Sequence, residues 1–157
     1  MHIDVSSAAD YHKEDLVPFL IERLIMEFKE VFQEKINYNQ SIQFVITNVF
    51  RLTGKPFVII IDEWDCVIRN YADCRDLVHK YLQFLHSLFK SEEAKSFLAL
   101  GYITGILSIK KVKDESALNN FDEYTMISST PLTEYFGFTE KEVKILLHLV
   151  RLIRLLP

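Results

Sequence analysis

Glycine is scarce in this chain of 157 residues, which has only Gly54, Gly101, Gly105 and Gly137. A phosphate-binding loop of the G-x-x-x-x-G-K-[ST] type needs two glycines at a fixed spacing, then Lys and Ser or Thr, and then a helix. No pair of glycines has this spacing. Gly54 is followed by Lys55, but next come proline and an apolar run, so Gly54 is predicted to end a helix. The sequence therefore contains no recognisable phosphate loop of this type.

Positive charge, cysteine and long apolar runs are also limited. The net charge is −4, so we expect no direct nucleic-acid binding. Two cysteines, Cys66 and Cys74, lack histidine at ligand spacing, which argues against a zinc site and favours a reduced, cytoplasmic setting. The N-terminal residues lack the basic and apolar regions of a signal peptide, and no apolar run is long enough to span a membrane.

The most informative stretch is an apolar run at residues 57–61 (Phe-Val-Ile-Ile-Ile), which leads into Asp62, Glu63, Trp64 and Asp65. Because the run does not alternate with polar residues, it predicts a strand buried on both faces, as in the middle of a parallel sheet. The acids then lie at the carboxyl end of the strand, where ligands bind in open α/β sheets. This is the pattern of a Walker B strand, and the alternative is an ordinary core strand that ends in a solvated acidic turn.

The acids suit different tasks in a nucleotide site. Mg²⁺ is a hard cation that takes carboxylate oxygen, and Asp62 would supply it. Glu63 would polarise the water that attacks the γ-phosphate of ATP. Asp65 and Arg69 are further candidates for nucleotide or partner contacts, with a surface ion pair as the alternative interpretation.

A second apolar run, at residues 97–103, ends in Thr104 and Gly105. A small polar residue at the tip of the strand beside Walker B can contact the γ-phosphate or the attacking water, a role called sensor 1. Thr104 is the candidate for this role, and the alternative is a strand that simply ends in a Thr-Gly turn.

Helical periodicity surrounds these strands, and the alternation of strands with helices predicts an α/β protein with a parallel sheet and right-handed crossovers. Residues 3–5 and 124–127 are predicted as short strands, and residues 116–121 as a helical turn. Residues 6–14 and 64–73 are predicted as connections. The predicted helices cover residues 15–34, 41–54 and 75–90.

A last helix is predicted to start at Glu140. Thr139 and Glu142 have the spacing of a capping box, and Phe138 and Val143 that of a hydrophobic staple. The far half of this helix is apolar nearly all round, so we expect it to pack on a part of the protein that this chain lacks or on a second copy. A membrane-surface helix is the weaker alternative, because this half has only two arginines.

Taken together, these motifs resemble the AAA-ATPase-like domain that commonly precedes a PD-(D/E)XK-type nuclease domain. The resemblance implies a three-layer parallel sheet with flanking helices, a partial P-loop NTPase fold of the additional-strand class. The domain would span residues 1–157, with a foreign or divergent tail at 145–157. The matching segments are F-V-I-I-I-D-E-W-D at 57–65, G-Y-I-T-G-I-L-S-I-K-K at 101–111, S-A-L-N-N-F at 116–121, E-Y-T-M at 123–126, Y-F-G-F-T at 135–139 and E-V at 142–143.

The resemblance also implies residue roles. Asp62 would hold Mg²⁺, Glu63 would be the catalytic base and Thr104 the sensor. The phosphate loop of the family lies before the first residue of this chain, so ATP would bind only if that loop is supplied. An arginine from a neighbouring subunit often completes such a site, and the candidates are Arg69, Arg151 and Arg154.

The implied sheet order is 5-1-4-3-2, in which residues 3–5, 57–61, 97–103 and 124–127 would be strands 2, 3, 4 and 5. Without strand 1, strand 4 would have an unpaired edge. Bare edges promote association, so we expect self-association or a protein partner at this edge and at the apolar tail.

The sequence suggests three alternative functions. The first is a fragment of a Mg²⁺-dependent ATPase module that keeps the hydrolytic carboxylates but does not grip the nucleotide. The second is a non-catalytic protein-interaction module derived from the same family. The third, a nuclease built on Asp62, Glu63 and Asp65, is disfavoured because Trp64-Asp65 occupies the place where the nuclease motif requires lysine.

Overall fold

A computed structural model describes residues 1–109, 118–125 and 138–153, with the side chains of the last helix described through His148. The chain divides into two compact units, Met1–Phe121 and Asp122–Pro157. In the first unit, parallel strands alternate with helices. In chain order its elements are β1 (His2–Asp4), α1 (Val5–Tyr11), α2 (Leu16–Phe32), a 3₁₀ turn (Gln33–Lys35), α3 (Ile42–Thr53), β2 (Phe57–Asp62), α4 (Cys66–Asn70), α5 (Arg75–Phe89), α6 (Ala94–Phe97) and β3 (Leu98–Ile103).

The three strands form one parallel sheet in the order β1-β2-β3. Ile61 pairs with Ile3 on one side and with Ile103 on the other, so the strands end together at one edge. The prediction of an α/β protein with a parallel sheet flanked by helices is therefore confirmed. The order of the three strands also agrees with the order expected for strands 2, 3 and 4.

One face of the sheet is buried and the other is open. Ile59 and Ile61 are fully buried in a core that also contains residues of α1, α2 and α5. The prediction that both faces of β2 are buried is wrong, because Val58 is 44%, Leu100 56% and Tyr102 40% exposed. Val58 pairs with Leu100 in the parallel register, so they share this second face, which remains accessible to solvent in the described part of the chain.

The long helices lie where periodicity placed them. Helices α2, α3 and α5 match the three predicted ranges to within two residues at each end. Gly54 ends α3 in the left-handed conformation with φ of 65°, a backbone geometry that glycine adopts without a Cβ penalty. The N-cap positions of α2 and α3 are Asp15 and Ser41, as predicted, although neither side chain makes a capping hydrogen bond.

Two short helices were predicted as connections. Helix α1 begins directly after Asp4, which accepts hydrogen bonds from the Ser7 amide at 3.3 Å and from the hydroxyls of Ser6 and Ser7 at 2.9 Å. These serine contacts lower the pKa of Asp4. The helix buries Val5 and two alanines against the core, which explains why the first part of the predicted connection 6–14 is helical, through Tyr11. Helix α4 lies in the second predicted connection, residues 64–73.

The second unit contains helix α7 (Glu140–Ile153). Its predicted capping box is confirmed: the Thr139 amide and hydroxyl both donate to Glu142 at 2.7 Å, and the Glu142 amide donates to the Thr139 hydroxyl at 3.3 Å. The two bonds that the Glu142 carboxylate accepts, from the Thr139 amide and then its hydroxyl, lower the pKa of Glu142. Apolar side chains on α7 are exposed, including Leu147 at 57%. None of the described helices is long and apolar enough to cross a membrane.

Two smaller predictions are only partly covered by the described residues. Tyr124 and Thr125 lie outside any strand, and the other half of the predicted strand 124–127 lies outside the described residues. A turn is present at residues 118–120, whereas residues 116 and 117 of the predicted helical turn lie outside the described range. Residues 154–157 of the tail are likewise outside it.

Candidate functional site

An acid and a hydroxyl meet at the carboxyl edge of the sheet. Asp62 is the last residue of β2, and Thr104 directly follows β3. The Thr104 hydroxyl donates a hydrogen bond to Asp62 Oδ1. The Glu63 amide donates to the same oxygen at 3.1 Å and also contacts the Thr104 hydroxyl at 3.4 Å. The structure thus brings together the three residues singled out from the sequence, and their chemical roles stay predictions.

The backbone fixes this arrangement from both sides. The Thr104 amide donates to the Ile61 carbonyl, and the Trp64 amide donates to the Thr104 carbonyl, each at 2.9 Å. Between them Glu63 has φ of 49°, in the left-handed region that costs a residue with a Cβ about 1–2 kcal/mol. The loops that follow β2 and β3 are therefore joined by backbone hydrogen bonds past the ends of the strands.

Asp65 is fully buried beneath these loops. Its Oδ2 accepts hydrogen bonds from Arg69 Nε and the Leu107 amide, both at 2.7 Å, and from the Ile106 amide at 3.2 Å. The alternative of a surface ion pair between Asp65 and Arg69 is therefore half wrong, since the pair exists but its carboxylate is inside the protein. Asp65 links helix α4 to the segment that follows Thr104.

The packing around Asp65 leaves no spare room. A Cβ added to Gly105 would lie 2.5 Å from Asp65 Oδ1 and 2.7 Å from the Trp64 ring. Trp64 itself is buried, and its carbonyl accepts a hydrogen bond from the hydroxyl of the buried Tyr81 at 2.8 Å. Glycine at position 105 is therefore required by the close approach of the two loops.

Arg69 connects the buried carboxylate with the exposed one. Its Nη2 lies 3.7 Å from Glu63 Oε2 while its Nε contacts Asp65. The Arg69 side chain is 31% exposed and that of Glu63 52%. Of the three arginines considered as a finger for a neighbouring subunit, Arg69 is thus engaged within its own chain. The side chains of Arg151 and Arg154 lie outside the described residues.

Sequence reasoning missed one acid at this edge. Asp4 pairs with Asp62 in the register of β1 and β2, so the two residues are neighbours on adjacent strands. The signal was present, because residues 3–5 were predicted as the strand next to β2. The serines of α1 occupy both oxygens of Asp4, so its contacts are explained by capping of that helix.

Mg²⁺ is compatible with the site as a partly hydrated ion. The described residues contain no group of three or more acidic, histidine or cysteine side chains that would form a protein cage. Mg²⁺ usually keeps several waters and takes one or two carboxylates together with phosphate oxygens. An exposed carboxylate such as Asp62, oriented by a hydroxyl and an amide, matches one ligand of such a site.

The two cysteines are expected to differ in reactivity. Burial, reinforced by the charge of Glu63, raises the pKa of Cys66 to about 11, so on the order of one molecule in a thousand carries its thiolate near pH 8. Cys74 is only half buried. Ellman's reagent should therefore label Cys74 quickly and Cys66 only after denaturation. Rapid labelling of native Cys74→Ser protein would contradict this expectation.

The fold and the site define an α/β protein with an acid and a hydroxyl at the carboxyl edge of a parallel sheet, the edge where ligands bind in this class. The chain belongs to the AAA-ATPase-like family, whose model, described as a predicted AAA-ATPase, matches residues 1–113. No curated protein and no solved structure matches the chain. The matched range includes the whole acid and hydroxyl site, whereas the extension of the domain to residue 157 stays a prediction.

Proposed function

We propose that this chain supplies the Walker B and sensor 1 half of an AAA-type ATPase module. The observation that carries the proposal is the hydrogen bond between the Thr104 hydroxyl and the Asp62 carboxylate across two neighbouring strands. Membership of the AAA-ATPase-like family supports ATP as the nucleotide. The carboxyl edge of a parallel sheet supports the location.

Each side chain has one task in this proposal. Asp62 would hold Mg²⁺, with the Thr104 hydroxyl and the Glu63 amide keeping its carboxylate oriented. Mg²⁺, when bound, would neutralise charge on the phosphate oxygens. Thr104 would contact the γ-phosphate or the attacking water from the neighbouring strand.

Glu63 is the proposed general base. Its backbone is fixed by the contacts of its amide, while its carboxylate is 52% exposed and can meet a water molecule. As the water oxygen forms its bond to the γ-phosphorus, its proton passes to the Glu63 carboxylate. The bond between the γ-phosphorus and the bridging oxygen breaks, and ADP leaves with that oxygen.

The grip on the phosphates would come from elsewhere. In phosphate loops the backbone amides and a lysine supply most of the contacts to the nucleotide, and the sequence has no such motif. Hydrolysis is therefore proposed for a form in which this loop is supplied. The chain alone is proposed to interact with divalent metal at Asp62 but to bind Mg-ATP weakly.

Paramagnetic broadening by Mn²⁺ tests the metal role. Substoichiometric Mn²⁺ should broaden the amide signals of Asp62, Glu63 and Thr104 in wild-type protein, and Asp62→Asn should abolish this effect. Glu30→Gln, which removes an exposed acid on α2, is the matched control and should leave the broadening unchanged. Equal broadening around Asp62 in the wild type and in Asp62→Asn would remove the metal role.

Calorimetric titration with Mg-ATP tests whether the chain binds the nucleotide without a phosphate loop. We expect no heat of binding at submillimolar ATP, because the described site offers one metal ligand and no phosphate loop. Binding that appears in this range and disappears in Asp62→Ala would mean that the chain grips the nucleotide by itself. That result would agree with a metal site at Asp62 but would contradict the proposal that a phosphate loop must be supplied.

A second candidate function is a non-catalytic protein-interaction module. The observation that favours it is the open sheet face, with Val58, Leu100 and Tyr102 exposed, next to β3 at the edge of the described sheet. Open edges and exposed apolar faces are common in surfaces that bind other chains. If Mn²⁺ shows no preference for Asp62, this second function is the better account of the chain.

A further inference from the structure

We propose that Arg69 is a positioning residue for Glu63 and that buried Asp65 holds Arg69 in place. The inference rests on the proposed role of Glu63 as the base and adds a residue that the acid and sensor motifs do not include. It is carried by the position of one guanidinium group between two carboxylates, one of them buried and the other exposed.

The guanidinium divides its contacts between these two carboxylates. Nε donates to Asp65 Oδ2 at 2.7 Å, and Nη2 lies 3.7 Å from Glu63 Oε2. Because the guanidinium is planar and rigid, fixing Nε also restricts where the Nη groups can lie. The Asp65 contact therefore determines the position of the charge that faces Glu63.

The buried position of Asp65 makes it a firm anchor for Arg69. The Asp65 side chain has 0% exposure, and removing Arg69 would leave a buried charge without a counter-ion. The same oxygen also accepts from the amides of Ile106 and Leu107, which follow Thr104. Arg69 is thus tied to the segment that carries the proposed sensor, and it is not free to serve a neighbouring subunit.

Glu63 is the residue whose side chain is restricted by the anchored Arg69. Its amide contacts and its φ of 49° fix the backbone, but they leave its half-exposed carboxylate free to sample rotamers. A general base must lie within hydrogen-bond reach of the proton that it takes. The Nη2 group of Arg69 supplies the charge that holds the carboxylate on one side of the site.

Arg69→Lys separates the two contacts of Arg69. A lysine ammonium keeps the charge next to Asp65 but lacks the rigid second arm. NMR should show unequal three-bond couplings for the Glu63 Hβ protons in the wild type and averaged couplings in Arg69→Lys. The Ile106 and Leu107 amide shifts should stay unchanged. Arg23→Lys, in an exposed pair with Glu27, is the control and should not alter the Glu63 couplings.

Substitution of Glu63 tests the same contact through the NMR signals of Arg69. In Glu63→Gln the rotation of the Arg69 Nη groups should become faster, while the Nε–H signal that reports the Asp65 bond persists. Glu27→Gln is the control and should leave the Arg69 signals unchanged. Glu63 couplings that are already averaged in the wild type would overturn the inference, and so would Arg69 Nη rotation that is unaffected by Glu63→Gln.

The same samples separate this inference from the proposed function. Mn²⁺ broadening reports the metal role of Asp62, whereas the couplings and the Nη rotation are measured without metal. If wild-type protein shows no selective Mn²⁺ broadening but the substitutions still alter the Glu63 couplings and the Arg69 Nη rotation, the proposed ATPase site is wrong and the Arg69–Glu63 contact stands. If Mn²⁺ broadening is selective but the substitutions leave the Glu63 couplings and the Arg69 Nη rotation unchanged, only the positioning role is wrong.

Discussion

Replacing Gly105 with alanine is expected to lower the free energy of unfolding by about 3 kcal/mol, at the upper end of the usual cost of overpacking. The added Cβ would lie 2.5 Å from Asp65 Oδ1 and within 2.8 Å of the Trp64 indole nitrogen. Both neighbours are buried, so neither can move aside without breaking contacts of its own. Urea denaturation followed by circular dichroism would measure the loss.

Gly54→Ala is the matched control for this prediction. A Cβ at Gly54 would meet nothing within 4 Å, so only its left-handed backbone opposes the substitution. That strain is expected to cost about 1 kcal/mol. If Gly105→Ala costs no more than Gly54→Ala, then the two loops are not packed as tightly as the structure indicates.

Replacing Arg69 with methionine is expected to have a similar effect, about 3 kcal/mol. Methionine keeps much of the apolar stem but removes the only charge that contacts buried Asp65 among the described residues. We take the lower end of the range for a broken buried pair because the Arg69 side chain is itself 31% exposed. The measurement is again equilibrium unfolding in urea.

Two controls test whether the buried charge is the cause. Arg23→Met removes an arginine from an exposed pair with Glu27 and should change stability by no more than about 0.5 kcal/mol. Adding Asp65→Asn to Arg69→Met should recover part of the loss, because the buried charge is then removed as well. Equal losses for Arg69→Met and Arg23→Met would contradict a buried Asp65 that depends on Arg69.

The parts of the fold that the sequence predicted are those governed by short-range patterns. The apolar run before Asp62 defined β2, and helical periodicity located α5 to within one residue at each end. The capping box located the start of α7 because both of its partners lie within one turn. The meeting of Asp62 and Thr104 followed from the rule that parallel strands end at one edge.

The parts that were missed depend on contacts between distant residues. Nothing near Asp65 shows that it is buried, because two of its three donors are the amides of Ile106 and Leu107, 41 and 42 residues away. Helix α4 is five residues long and is held by tertiary packing, so it has no periodicity to detect. The open face of β2 was missed because an apolar run does not reveal which of its faces has a partner.

The backbone hydrogen bonds between Trp64 and Thr104 and between Thr104 and Ile61 have a mechanical consequence. Residues 62–65 and residues 104–107 are thereby fastened to each other and to the end of the sheet, and Asp65 also links them to α4. These two short segments are therefore not suited to open and close as a lid over a ligand. Together they form a fixed surface at this edge of the sheet, and a closure that excludes water from it would have to involve the ligand or other residues.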